Sequence, residues 1–276
     1  MMPAQAMRLR KLWDPSMLVS PAAIWLDHTS AVTDVSGNAS QWNDKTANGW
    51  HFSQSTAGSR PLIVASGVNG LRTLRFDGVN DLMTCAVAGS TALMQNKTAG
   101  WALAVMKKTA IDGSPLDKCL FWGAKGDSLS VRFALQPGSS FAANRPHMGV
   151  RRLDADAFAH IESSTTIDAA FHMMLFQQNW STGAGSIHLD GTQVASNATL
   201  TSAGSTSNTA AFGNLSIGAT PDASGRFLDA DVAAFIVGNG ALPSSAEVDR
   251  LFGWAAHTYG LTSLLPAGHP YKVVRP

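Results

Sequence analysis

The apolar residues of this chain recur mostly at every second position, the spacing at which the side chains of an extended strand share one face. In SLSVRFALQP, Leu129, Val131, Phe133 and Leu135 fall on one side and Ser130, Arg132 and Gln136 on the other, which predicts a half-buried strand. WALAVMKK repeats the alternation with Trp101, Leu103 and Val105, but its other face of Ala102, Ala104 and Met106 is apolar too, so a central strand is expected there. SIHLDGTQVAS sets Asp190-Gly191 between two β-prone runs. Asp-Gly supplies the positive φ angles of a type I′ turn, whose twist matches a hairpin. FLDADVAAFIVG places Leu228, Val232 and Ile236 against Asp229, Asp231 and Phe235, and turn clusters at 204–208 and 220–225 separate these strands. The sum is antiparallel β with short turns, a sandwich or barrel rather than an α/β fold.

The period changes once. In PSSAEVDRLFGWAAHTYG, Ser244 and Glu247 form a capping box after Pro243, and Val248, Leu251, Phe252, Ala255 and Tyr259 follow at helical spacing. Gly260 is placed to close the helix in a left-handed conformation. This helix is expected to cover a sheet edge or one end of the sandwich.

Composition narrows the class. Charged residues are 14% against 45% hydrophobic, which suits a buried core and argues against disorder. All-β sandwiches reach 276 residues as one unit, so one domain is expected over 21–271, with 1–20 as an arm and 272–276 as a tail. A net charge of +1 provides no field to attract nucleic acid or an anionic membrane. The one basic cluster, Arg8, Arg10 and Lys11, next to Trp13, reads as a partner-docking arm. Asp14, Pro15 and Pro21 interrupt the residues after that cluster, so no signal peptide is read there, and no apolar run is long enough to span a bilayer. Without a signal peptide the Asn38-Ala39-Ser40 and Asn197-Ala198-Thr199 triplets are discounted as glycosylation sites. Cys85 and Cys119 lie far apart without metal-ligand spacing and are expected as buried free thiols.

Taken in order, AIWLDHTSAVTDVSGNASQWNDKTANGWHFSQ, RPLIVASGVNGLRTLRFDGVNDLM, SIHLDGTQVAS, NLSIGAT and the closing FLDADVAAFIVGNGALPSSAEVDRLFGWAAHTYGL with LLPAGHPY resemble the laminin-G-like, concanavalin A-like jelly-roll family. The likeness is strongest to versions found in bacteriophage surface proteins. The resemblance implies an all-β, two-sheet antiparallel jelly-roll sandwich with one short C-terminal helix. It also implies a non-enzymatic virion surface protein, a head decoration or head fibre or a tail-fibre component, made in the host bacterial cytoplasm. Its partners would be other virion proteins and host surface glycans, in a homo-oligomer such as a trimer. The alternative is a lectin-like carbohydrate-binding module of a bacterial extracellular protein; a weaker one is a hydrolase.

Candidate chemistry is sparse. Gly126-Asp127-Ser128-Leu129 spells the nucleophile box of a hydrolase family, but it sits mid-chain before a strand, and His257 and His269 have no Asp three residues earlier. A glycosidase needs two flanking carboxyl groups, and only the pairs Asp229/Asp231 and Asp154/Asp156 offer them. Solvated strand faces explain both pairs, so no catalytic residue is assigned. His51, His172 and His188 read as structural, and His269 as part of a tail turn. Asp34, Asn43, Asp44 and Asn48, with Asp77, Asn80 and Asp81, are the weak calcium candidates, since laminin-G-like domains sometimes bind calcium at the rim. The same residues are turn-makers, and that reading is preferred, with Trp42 and Trp50 as core anchors. No aromatic platform for sugar stacking is evident, because the chain has only two tyrosines.

Overall fold

The computed structural model describes residues 12–109, 118–123, 131–138, 144–206 and 213–276. In chain order its strands are β1 (Ile24–Leu26), β2 (Val32–Val35), β3 (Asn38–Trp42), β4 (Phe52–Ser53), β5 (Leu62–Val68), β6 (Leu71–Asp77), β7 (Met83–Cys85), β8 (Ala99–Lys108) and β9 (Phe121–Gly123). They continue as β10 (Phe133–Gln136), β11 (His147–Val150), β12 (Ala159–Glu162), β13 (His172–Asn179), β14 (Ala184–Leu189), β15 (Thr192–Asn197), β16 (Leu215–Ile217) and β17 (Asp229–Asn239). Helix α1 is Val87–Met94 and helix α2 is Ser245–Tyr259.

Every pairing is antiparallel, and the pairings form two layers. In the first, β17 is flanked on one side by β8 and on the other by β6 near its start and β1 near its end. β5 extends the layer beyond β6, and β13, β14 and β15 extend it beyond β8. The second layer runs β2, β3, β4, β7, β16, β9, β10, β11 and β12. A bridge of Asn38 to Leu62 joins the two layers at one edge. The fold is the expected jelly-roll sandwich.

The larger core lies between the layers, where Trp42, Phe52, Phe76, Phe121, Phe133, Phe176, Trp180 and Phe235 are buried together. A second core forms on the far side of the first layer. There Trp101, Leu103, Val105, Met173, Leu175 and Ile236 meet Leu251, Phe252, Trp254, Ala255 and Tyr259 of α2. β8 is therefore buried on both faces, as its doubly apolar pattern requires.

α2 lies across the sheet face, not at the edge or end of the sandwich expected for it. Its apolar stripe covers the apolar surface that β8, β13 and β17 would otherwise expose to water, and burying that surface favours this position. The capping box forms in full: Ser244 Oγ accepts from the Glu247 N–H and Glu247 Oε2 accepts from the Ser244 N–H, while Gly260 closes the helix at φ 72.

Two further differences have local causes. The pairing of β17 with β8 shifts register between Val232 and Ala234. That bulge turns Val232 into the main core and Ile236 toward α2, so the side chains expected to share a face do not. β10 is buried on both faces instead of half-buried, because Trp122, Val131, Ala134, Cys119 and Phe158 pack together on its outer side. α1 has no counterpart in the hydrophobic pattern; it buries Gly89, Ser90, Leu93 and Met94, with Gly89 close against Cys85 and Trp50.

Candidate functional site

The Asp190-Gly191 turn takes positive φ at both residues, 52° and 88°, and joins β14 to β15 as a hairpin. Its carboxylate also holds His172, with Nδ1 2.7 Å from Asp190 Oδ2 and Nε2 3.1 Å from Asp168 Oδ1. Burial works against protonation of His172, but the two carboxylates outweigh it and raise its pKa. The clasp fastens a turn and opens onto no cavity among those described.

The calcium candidates act as turn-makers. Asp34 Oδ1 accepts from the Gly37 N–H at 2.7 Å, and Asp77 Oδ1 from the N–H groups of Val79 and Asn80. Asn43 Oδ1 accepts from Gln41, and Asn48 donates to the Ala23 carbonyl. Asp44 is buried and meets four donors: the N–H groups of Trp25, Thr46 and Trp50, and the Thr46 hydroxyl. Asp81 accepts from the Asp77 N–H at 3.0 Å. Among the described residues no three His, Cys, Asp or Glu side chains converge as a metal site.

The other sequence candidates are dispersed. Asp231 lies in a bidentate pair with Arg75 at 2.6 and 2.9 Å, with Lys107 at 3.4 Å. Asp154 pairs with the buried Arg132, and Asp156 accepts from the Leu153 N–H. Cys85 and Cys119 are buried and unpaired with each other. Ser128, Arg8, Arg10 and Lys11 lie outside the described residues. Trp13 is buried in the core beneath α2, and its N–H donates to the Pro276 carbonyl at 3.0 Å.

What the structure does assemble is a groove around Trp25. On β1, Ile24 and Leu26 enter the main core, so the alternation sends Trp25 to the opposite face, toward α2. The Asp44 clasp holds the 43–50 loop against it by accepting the Trp25 N–H. Lys45 Nζ then sits 3.7 Å from the centre of the Trp25 ring, and the Trp254 ring meets Trp25 edge-on at 5.9 Å.

Two hollows of about 400 Å3 each share Trp25 and Lys45. One is walled by Pro15, Pro21 and Ala22, with Ser16, Thr46 and Asn48 supplying hydrogen-bonding groups. The other is charged, with Asp27, His28, Thr29, His257, Thr258 and Arg275 around it. Asp27 Oδ2 accepts from Lys45 at 2.9 Å, and its Oδ1 accepts from Thr29 and the Ser30 N–H. Burial opposes ionisation of Asp27, but the Thr29 hydroxyl and the Lys45 ammonium outweigh it and hold the pKa below the usual value. His28 Nδ1 lies 3.2 Å from the Tyr259 hydroxyl, and burial, reinforced by nearby cations, lowers its pKa.

The C-terminal tail completes the charged hollow. A Cβ on Gly253 would come within 2.5 Å of Tyr271, so the bare helix surface there lets the tail cross α2. His257 Nε2 donates to the Tyr271 carbonyl at 3.0 Å, Lys272 Nζ donates to the Ser263 carbonyl at 2.8 Å, and the tail brings Arg275 to Thr258. None of Trp25, Asp27, His28, Lys45, Trp254 or Arg275 stands out as a site residue in the sequence. The one available signal is the outward phase of Trp25 in IWL.

No family model and no curated protein matches the chain. Solved structures match it as a fold. An arabinofuranosidase complexed with arabinofuranosyl-α-1,2-xylobiose has a TM-score of 0.58 at 14% identity, covering 84% of this chain and 58% of that one. Domain 4 of AbnA, a GH43 extracellular arabinanase from Geobacillus stearothermophilus in complex with arabinotriose, has 0.55 at 12% identity, covering 84% and 98%. The binding domain of Paraclostridial Mosquitocidal Protein 1 has 0.55 at 11% identity over 84% of this chain, which spans about half, 52%, of that domain. The jelly-roll architecture is thus shared with these proteins; a phage-specific version of it is not singled out by them.

Proposed function

We propose that this chain is a non-catalytic, lectin-like carbohydrate-binding module that takes an oligosaccharide in the groove across Trp25. The observation that carries the reading is the pair of hollows meeting at Trp25 and Lys45. Saccharides present C–H faces and hydroxyl edges, and the groove offers prolines and an indole beside hydrogen-bonding groups. The shared architecture with a domain solved with arabinotriose supports the same reading at the level of fold.

The non-catalytic part of the proposal draws on how the carboxylates are used. A glycosidase needs one carboxyl group held protonated and one ionised across the scissile bond. In the groove, the Thr29 hydroxyl and Lys45 hold the Asp27 pKa below its usual value, and Asp14 accepts from the Ser16 N–H at 2.9 Å as a helix cap. The virion setting, with other virion proteins as partners, rests on the sequence resemblance alone and is kept as the context in which such a module would act.

Isothermal titration against neutral and acidic oligosaccharides tests the binding site. Asn48→Ala, which leaves the core untouched, is expected to weaken a bound oligosaccharide about tenfold, and Trp25→Ala to abolish binding. Since Trp25 also packs under α2, its variant is checked by thermal melting. Unchanged affinity in a folded Trp25→Ala protein rules the groove out.

A further inference from the structure

The two hollows differ in charge, and the difference deepens the glycan-binding reading on which this inference rests. Around His28 stand three cations, Lys45, Arg72 and Arg275, against one carboxylate, Asp27. That carboxylate is already consumed by Lys45, Thr29 and the Ser30 N–H. Asp14 lines the hollow as a second carboxylate and is held by the N–H and hydroxyl of Ser16. Arg72 donates to the Ser30 carbonyl. Arg275 donates only to Thr258 Oγ1, at 3.3 Å, and forms no ion pair among the described residues. His28 commits Nδ1 to Tyr259 and leaves Nε2 without a protein partner among the described residues.

We propose that the charged hollow receives the carboxylate of an acidic saccharide, with Arg275 as its counter-charge, while His28 Nε2 accepts from a hydroxyl of the same sugar unit, since its Nδ1–H donates to a Tyr259 hydroxyl whose own proton goes to the Ala233 carbonyl. A guanidinium presents two parallel N–H groups that match a carboxylate, and Arg275 is exposed and so within reach of a ligand. Lys45 and the Trp25 ring stand between this hollow and the proline-walled one, so a neutral unit of the same oligosaccharide lies across the indole while its acidic unit faces Arg275.

The test uses matched pairs: oligogalacturonate, oligomannuronate and hyaluronan oligomers, each with its methyl ester, alongside neutral arabino- and xylo-oligosaccharides, titrated into the full chain. The acid form of at least one pair is expected to bind at least tenfold more tightly than its ester, with the preference shrinking in high salt. Arg275→Met should erase that preference without changing the melting temperature, and Arg275→Lys should restore part of it. Equal binding of acid and ester, or a preference that persists in Arg275→Met, overturns the inference. Neutral oligosaccharides binding without any acid preference defeats this inference alone; no saccharide binding at all defeats the glycan-binding reading with it.

Discussion

The loops at 43–50 and 77–81 resemble each other in sequence, each a bend rich in Asn, Asp and Gly, yet they end with opposite electrostatics. Asp44 is surrounded by four donors that all point inward. Asp81 has one, the Asp77 N–H, and it faces the Asp77 carboxylate, so burial first and that neighbour second push its pKa up to about 6. The number of inward donors, not the residue type, decides whether a buried carboxylate clasps a loop or burdens it. The clasp matters for function because it fixes the loop that carries Lys45 against Trp25.

Removing the clasp is the strongest way to break this comparison. Asp44→Ala strips the acceptor from three backbone N–H groups and one hydroxyl. At about 1–3 kcal/mol for each buried donor left unmade, and with water reaching some of them, the loss should be about 3–5 kcal/mol in urea denaturation. Asp44→Asn keeps one acceptor oxygen and should lose about half as much. A loss below about 1 kcal/mol in Asp44→Ala would mean that the surrounding turn, not the carboxylate, holds the loop.

Asp81 should respond in the opposite sense. Its folded pKa lies above the ordinary 3.8, so its stabilising contribution is complete below about pH 4 and is lost as pH rises to about 6. Above that, the ionised acid is a net cost. Asp81→Asn keeps an oxygen for the Asp77 N–H and is expected to stabilise the fold at pH 7.5 by about 2 kcal/mol, while removing the decline between pH 4 and 6. Destabilisation at pH 7.5 would contradict the assignment.

The same contrast marks what the sequence made legible. Turn chemistry at Asp34, Asp77, Asp190 and Gly260 follows from the few residue types that suit positive φ or cap an N–H, and the capping box follows from spacing alone. The two layers follow from period-two burial. What escapes is whatever depends on distant partners. Trp25 is brought to Lys45 by a clasp 19 residues on, and Arg275 is brought to His28 by a tail crossing a helix, so no local window contains the groove. The bulge in β17 escapes for a related reason: it adds one residue to one strand against its partner, and only the partner strand reveals it.

A third aspartate turn sharpens the comparison with the smallest expected effect. Asp190 faces neither four donors nor another acid but His172, together with the Met173 N–H at 2.8 Å. The folded pKa of His172 lies above 6.5, so its contribution is complete below that pH and is lost as pH rises through the folded value. Asp168 is 77% exposed, so solvent screens half of the clasp and the contribution should be about 1 kcal/mol. Both raised groups therefore erode stability as pH rises, but in separate windows: Asp81 between about 4 and 6, His172 from about 6.5 upward. Because groups with lowered pKa values, His28 among them, act in the opposite sense, the steps are read as differences: stability relative to Asp81→Asn should fall between about pH 4 and 6, and stability relative to His172→Gln from about pH 6.5 upward. A single step removed by both variants would tie the two turns to one cooperative titration, contrary to the independence that their separate partners imply.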